Sequence, residues 1–297
     1  MASTGIKMID TAFVLGGGGN RGAIQAGALL ALLQHEIVPQ LLVGTSAGAL
    51  NALQIAAEPA VAGAEKLTAM WRDVQKGILQ RVGIFTIGRH LLTRSNSLSS
   101  NERLKEYVQE NMPPGIKTFA DFSAAQLRVI ATNLNTGQPH VFGDNPTEPV
   151  LDGIMASAAL PIYMPPWDYR GAQYVDGGVV SVLPIMTAIK YKPRRIYIID
   201  ISPMRDAEQP RVKGIIDIIN RIIDIMIQHQ MHRELEQIPT DAVEAIYHIG
   251  INTFRHTPLW DTSHMDNMIA SGQQTIVDFL SKEHPAGYVK YDASQPE

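Results

Sequence analysis

The stretch Gly44-Thr45-Ser46-Ala47-Gly48 joins the apolar run Leu41–Val43 to the helix-forming run Ala49–Leu53. A G-x-S-x-G sequence between a strand and a helix is typical of a nucleophile elbow. Gly44 and Gly48 leave room for a tight turn, and Ser46 then stands above the sheet edge with its side chain exposed. For the pentapeptide alone, a glycine-rich turn with an N-capping serine is the alternative.

Four consecutive glycines, Gly16–Gly19, lie between a short apolar segment and a helix-forming segment. Glycine loses more conformational entropy on folding than any other residue, so this run suits a loop whose backbone N–H groups face an anion. The Gly-Lys-Ser/Thr sequence of a Walker A loop is absent. The segment therefore favours a loop that binds a dinucleotide or a developing oxyanion.

The dinucleotide alternative rests on Gly17–Gly22, which fits the G-x-G-x-x-G pattern literally. That pattern is accompanied by an acidic residue at the end of the second strand, about 20 residues further on. Here the second strand runs into Gly44-Thr45-Ser46, without an acid. This favours an oxyanion hole, near which Arg21 adds a positive charge.

A third feature is Asp176-Gly177-Gly178, which by itself often forms only a β-turn. A hydrolytic serine needs a base to accept its proton, and Asp176 is one candidate. None of the nine histidines lies in a glycine-rich turn. In the chain order Ser, Asp, His, however, His248 or His256 could complete a triad, so both arrangements stay open at this point.

Three segments together resemble the signatures of the patatin-like phospholipases. They are Gly17–Gly22, Gly44–Gly48 and Asp176–Gly178. Ala131–Gly137 and Ala156–Pro166 are similar to further segments of that family, so the resemblance runs from about Thr11 to about Ile201. The chain departs from the family where an asparagine often precedes Leu-Pro, because Val182 stands before Leu183-Pro184.

The resemblance implies a Ser–Asp dyad without histidine, in which Ser46 is the nucleophile and Asp176 the base. It also implies an oxyanion hole that contains the backbone N–H groups of Gly17, Gly18 and Gly19. A solvated carboxylate is a weak base, so Asp176 should be partly desolvated. The implied activity is a serine acyl hydrolase of lipase, phospholipase A or lysophospholipase type, acting on a lipid or acyl ester without cofactor or metal. An acyltransferase on the same dyad and a non-catalytic lipid-binding module are the alternatives.

A length of 297 residues is ordinary for one α/β domain, so we expect one domain over residues 1–297. The resemblance implies a motif-bearing core over about 11–201, and a C-terminal extension of helices and strands is expected over about 213–285. Apolar residues make up 45% of the chain, and strand-like and helical runs alternate. This alternation predicts a three-layer α/β/α fold with a mostly parallel central sheet. Predicted strands are Thr11–Leu15, Gln40–Val43, Leu127–Asn133, His140–Phe142, Arg195–Ile201 and Val243–Ile249. Predicted helices are Ala23–Gln34, Ala47–Ala57, Val61–Lys76, Ser100–Glu110, Asp152–Ser157, Leu183–Lys190, Lys213–Glu236 and Met265–Ser281.

Charge and hydropathy limit the expected partners and location. The net charge of −4 gives no general attraction to nucleic acid, so no nucleic-acid partner is expected. Residues 1–10 lack a basic region followed by an apolar one, and no apolar run reaches the length of a membrane span. These features predict a cytoplasmic protein. Transient contact with a membrane surface and association of copies of the chain remain open.

Two segments outside the motifs are considered for a role at the site. Gly77–Ser99 lacks periodicity and is interpreted either as a surface excursion or as a cap over the site. Lys213–Glu236 carries a wide isoleucine-rich stripe at helical spacing, which we expect to be buried against the sheet. A dimer surface, a lid and a membrane-facing patch are the alternatives for this stripe.

Overall fold

The computed structural model describes residues 8–74, 101–202, 211–239, 243–254, 257 and 261–293. The possible cap, Gly77–Ser99, lies outside these residues.

The strands are β1 (Thr11–Leu15), β2 (Leu41–Thr45), β3 (Gln126–Asn133), β4 (Pro139–Phe142), β5 (Trp167–Tyr169), β6 (Ala172–Asp176), β7 (Arg195–Asp200), β8 (Ala245–Ile251) and β9 (Gly287–Ala293). The α-helices are α1 (Gly22–Gln34), α2 (Ala47–Ala57), α3 (Val61–Val74), α4 (Glu102–Glu110), α5 (Val150–Ala158), α6 (Ile185–Ile189), α7 (Ile215–Glu236) and α8 (Met265–Leu280).

The strands form one sheet in the order β5-β6-β3-β2-β1-β7-β8-β9, with β4 also paired to β3. The run from β3 to β9 is parallel, whereas β4 and β6 pair antiparallel to β3. Every residue of β1 and β2 is buried, as expected for central parallel strands covered on both faces. The predicted fold class is therefore confirmed.

Side chains of β1 alternate between two apolar clusters. Phe13 and Leu15 belong to a large cluster that includes residues of α1, α2, α3, α5 and α8. Ala12 and Val14 belong to a smaller cluster on the other face, with residues of α6 and α7. Helices thus cover both faces of the sheet, and the carboxyl ends of β1 and β2 meet at one edge.

Helix α7 departs from the sequence prediction. The side chains of its stripe are exposed: Ile215 77%, Ile218 43%, Ile219 38%, Ile222 51%, Ile225 44% and Met226 59%. The helix instead packs on the smaller cluster through residues nearer its end, among them Met231 and Leu235. The expected burial of the stripe was wrong, because the apolar period does not reveal which face meets the sheet. Within the described residues, no helix combines the length and apolar character that crossing a bilayer requires.

Helices α1 and α8 cross with their backbones in close contact, at Gly27 and Gly272. A Cβ atom on Gly27 would lie 1.9 Å from the carbonyl oxygen of Ile269, and one on Gly272 would lie 1.9 Å from that of Ile24. Real Cβ atoms do not approach backbone this closely, so any side chain here would push the helices apart.

We expect Gly272→Ala to lower the free energy of unfolding by about 2 kcal/mol, the usual size of an overpacking effect. The better helix propensity of alanine would by itself favour the variant by up to about 1 kcal/mol, so the sign of the change reports the steric contact. Denaturant unfolding measures it. Val277→Ala, on the exposed side of the same helix, is the control and should change stability by less than about 0.5 kcal/mol. A stabilised Gly272→Ala variant would contradict the close crossing.

Candidate active site

Ser46 occupies the sharp turn between β2 and α2, in a conformation that few non-glycine residues adopt. Its backbone has φ 57° and ψ −124°. Such a conformation costs on the order of 1–3 kcal/mol and persists only where the surrounding structure imposes it. The chain thus leaves β2 after Thr45 and enters α2 at Ala47 through a strained turn at Ser46, as the strand–turn–helix pattern predicts.

The glycines that flank the turn are required by space. A Cβ atom on Gly44 would lie 2.6 Å from the carbonyl oxygen of Gly48, inside the turn itself. A Cβ atom on Gly48 would lie 2.1 Å from the carbonyl oxygen of Leu15, at the end of β1. Both contacts are with backbone, so the motif's glycines allow α2 to begin directly against β1 and β2.

The glycine loop after β1 lies beside Ser46. A Cβ atom on Gly17 would lie 3.2 Å from the Cβ atom of Ser46. The Gly17 N–H donates to the carbonyl oxygen of Val182 at 3.0 Å, so it is already engaged. Among the described residues, no such acceptor is assigned to the N–H groups of Gly18 and Gly19. The loop thus lies against the nucleophile turn through Gly17, and Arg21 is buried at its end with 6% exposure.

Asp176 ends β6 and is held by backbone contacts on several sides. Its N–H donates to the carbonyl oxygen of Ala159 at 3.0 Å, and its own carbonyl oxygen accepts from Thr132 Oγ1 at 2.9 Å. One carboxylate oxygen, Oδ1, accepts from the Gly178 N–H at 2.7 Å. The other, Oδ2, is buried and has no hydrogen bond of normal geometry within the described part of the chain.

Burial dominates the protonation of this carboxyl group. Desolvation raises the pKa of Asp176 from 3.8 to about 6, against smaller opposing effects of the Ser46 side chain and the Gly178 N–H. Ser46 is thus close enough to influence the carboxylate, although the two are not joined by a hydrogen bond of normal geometry. The direction of the shift agrees with the desolvated base expected from the sequence.

Ser157 is a site residue that the sequence analysis did not single out. It is fully buried near the end of α5, and its Oγ accepts from the Ser46 N–H at 2.9 Å. Two residues later, Ala159 binds the Asp176 N–H. The end of α5 therefore holds both Ser46 and Asp176. The similarity of Ala156–Pro166 to a family segment was the only sequence signal for this contact.

His248 does not complete a triad with Ser46. Its Nε2 contacts Asp200 Oδ2 at 2.9 Å, and its Nδ1 contacts the Tyr288 hydroxyl at 2.9 Å. Both ring nitrogens are thus engaged within the packing of β7, β8 and β9. His256, the other candidate, lies outside the described residues.

Comparison with known proteins identifies the family. Residues 13–189 match the family model described as patatin-like phospholipase. The chain is 28% identical over 222 residues to the uncharacterized protein YqhO of Bacillus subtilis (strain 168), which covers 67% of this chain and 73% of YqhO. It is 26% identical over 196 residues to mouse patatin-like phospholipase domain-containing protein 7, covering 64% of this chain but only 13% of that protein.

A search of solved structures finds similarity to VipD from Legionella pneumophila, with a TM-score of 0.47 and 14% identity, covering 92% of this chain and 67% of that chain. The family model spans more than half of the sequence and includes all three signatures. The chain belongs to the patatin-like phospholipase family.

Proposed function

We propose that this chain is a serine acyl hydrolase that cleaves fatty acyl esters of phospholipids, lysophospholipids or neutral lipids. The observation that carries the proposal is the strained Ser46 turn, which lies against the glycine loop while a desolvated carboxyl group stands nearby. Membership of a phospholipase family supports a lipid as the substrate.

In the proposed reaction, Asp176 accepts the hydroxyl proton of Ser46 while Oγ attacks the ester carbonyl carbon. The negative charge that develops on the carbonyl oxygen is stabilised by the N–H groups of Gly18 and Gly19, and each such donor contributes on the order of 3 kcal/mol. The tetrahedral intermediate then collapses, the C–O bond to the alcohol breaks, and Asp176 returns its proton to the leaving alkoxide.

The second half of the reaction releases the acid. Asp176 removes a proton from water, and the hydroxide oxygen attacks the acyl carbon on Ser46. Collapse of this second intermediate breaks the ester bond to Oγ, which takes the proton back from Asp176. The fatty acid leaves and the free hydroxyl is restored. In this scheme Gly17 fixes the shape of the loop and does not bind the oxyanion, because its N–H donates to the carbonyl oxygen of Val182.

Labelling with a fluorophosphonate probe, followed by intact-mass measurement and peptide mapping, tests the proposal. We expect one adduct, on Ser46, in the wild type and none in Ser46→Ala. Ser263→Ala, which changes an exposed serine, is the control and should label like the wild type. Fatty-acid release from phosphatidylcholine, lysophosphatidylcholine and triolein then identifies the ester class. A folded wild type that neither labels nor releases fatty acid would overturn the proposal.

A further inference from the structure

The three residues Ser181–Leu183, here called the bridging strip, connect the two halves of the candidate site. The carbonyl oxygen of Ser181 accepts from Thr45 Oγ1 at 2.9 Å, one residue before Ser46. The carbonyl oxygen of Val182 accepts from the Gly17 N–H at 3.0 Å. The strip thus binds the nucleophile turn and the glycine loop by backbone carbonyls, so its position affects the spacing between them.

Glu234 of α7 holds this strip from outside the site. One carboxylate oxygen accepts a short hydrogen bond from the Ser181 hydroxyl, and the other accepts from the Ile185 N–H at 3.2 Å. The Met186 N–H also acts as a donor to this carboxylate. One carboxylate therefore binds both Ser181, at the start of the bridging strip, and Ile185, at the beginning of α6.

Two polar side chains of α7, Glu234 and Gln230, contact the segment that follows Asp176. Burial raises the pKa of Glu234 to about 6, so the group is ionised at pH 8. Gln230, one turn earlier, adds a weaker contact from its Nε2 to the carbonyl oxygen of Val179 at 3.3 Å. The isoleucine-rich stripe in the first half of the helix, by contrast, is exposed. Glu234 thus lies where α7 meets the segment that follows Asp176.

We propose that Glu234 is a positioning residue for the reaction proposed above, holding the bridging strip so that the glycine loop and Ser46 keep their spacing. The inference rests on the proposed hydrolase function, but it assigns Glu234 no contact with the substrate. It acts through Ser181 and through the carbonyl groups that bind Thr45 and Gly17. Small displacements of catalytic groups by remote changes can cost large factors in rate, which makes such a role measurable.

The test compares Glu234→Gln, Ser181→Ala and the double variant with the wild type at pH 8. Glutamine keeps the size of the side chain but offers one acceptor oxygen instead of two, so one of the donors loses its partner. Glu236→Gln, two residues further along the same helix and exposed, is the matched control. Ester hydrolysis gives kcat and KM, and thermal unfolding gives the folded fraction at the assay temperature.

We expect each single variant to lose about tenfold in kcat, with KM within about twofold of the wild type, because substrate contacts are unchanged while alignment is lost. The double variant should be no slower than the slower single variant, since both changes break one connection. Glu236→Gln should match the wild type.

Wild-type kcat in both single variants would overturn the inference, as would additive losses or a loss explained by the unfolded fraction alone. If Glu234→Gln fails to fold, Ser181→Ala decides by itself, because it removes only a hydroxyl group. An active wild type with unaffected variants contradicts the role of Glu234 and leaves the hydrolase standing. An inactive, folded wild type contradicts the hydrolase, and the positioning role falls with it.

Discussion

Asp176→Asn is expected to lower kcat for ester hydrolysis by about 10³-fold, within the range that positioned bases contribute. The amide cannot accept the Ser46 proton, whereas the backbone contacts that hold residue 176 are independent of its side-chain charge. In the wild type, kcat/KM should fall about tenfold for each pH unit below about pH 6, where the raised pKa leaves Asp176 protonated. Steady-state kinetics between pH 4 and pH 8 measure both effects.

The same variant should be more stable than the wild type at pH 8. The folded-state pKa of Asp176 is raised, so the ionised form is favoured in the unfolded state and opposes folding. This cost develops as the pH rises from about 4 to about 6 and is constant above that, at no more than about 3 kcal/mol. Denaturant unfolding should therefore show a gain of about 1–3 kcal/mol at pH 8, disappearing near pH 4.

Asp168→Asn is the control for both measurements, because Asp168 is exposed on β5. It should leave kcat and stability close to those of the wild type. If Asp176→Asn retained wild-type kcat, the base would have to be another group. If Asp176→Asn were less stable than the wild type at pH 8, the prediction of a destabilising buried carboxylate at position 176 would be contradicted.

Gly48→Ala is expected to cost more than about 3 kcal/mol of folding stability and to abolish hydrolysis in any folded fraction. Its Cβ atom would lie 2.1 Å from the carbonyl oxygen of Leu15 and 2.7 Å from that of Gly16. Relief would require α2 to move away from β1, which would separate Ser46 from the glycine loop. Denaturant unfolding and fluorophosphonate labelling of the folded protein measure the two consequences.

Gly171→Ala separates this steric effect from the general cost of losing a glycine. Gly171 has φ +77° and no atom near its missing Cβ, so the variant should lose only about 1 kcal/mol, from the left-handed backbone. A Gly48→Ala protein as stable as Gly171→Ala, with normal labelling of Ser46, would contradict the close approach of α2 and β1.

The elements that carry the motifs could be predicted because their sequences are locally consistent. Thr11–Leu15 and Ala47–Ala57 have the predicted bounds, since a buried apolar run and a run of helix formers each favour one structure. Strands β5, β6 and β9 were missed. The first two are short and pair antiparallel, and β9 alternates polar and apolar residues at the sheet edge. Their stability comes from neighbouring strands, which local sequence does not reveal.

In the candidate site, too, residues in short motifs could be predicted from the sequence, whereas residues placed by distant contacts could not. Gly44 and Gly48 could be interpreted from the sequence because they belong to the G-x-S-x-G pattern, although the atom that crowds Gly48 is the carbonyl oxygen of Leu15 in β1. Ser157 and Glu234 belong to no such short pattern, because their contacts join residues 111 and 53 positions apart. The hydrogen bond from the Gly17 N–H to the carbonyl oxygen of Val182 could not be predicted from the sequence either, because it joins two segments that are distant in the chain.

The close crossing of α1 and α8 has a consequence for how the protein is made. Helix α1 leaves the ribosome more than 200 residues before α8. Gly27 and Gly272 nevertheless fit each other without space for a side chain. A nascent chain that already contains all three signatures therefore still exposes the surface of α1 that α8 will cover. We expect this part of the fold to be completed only after α8 has been synthesised, and chains interrupted after residue 201 to depend on chaperones until they are degraded.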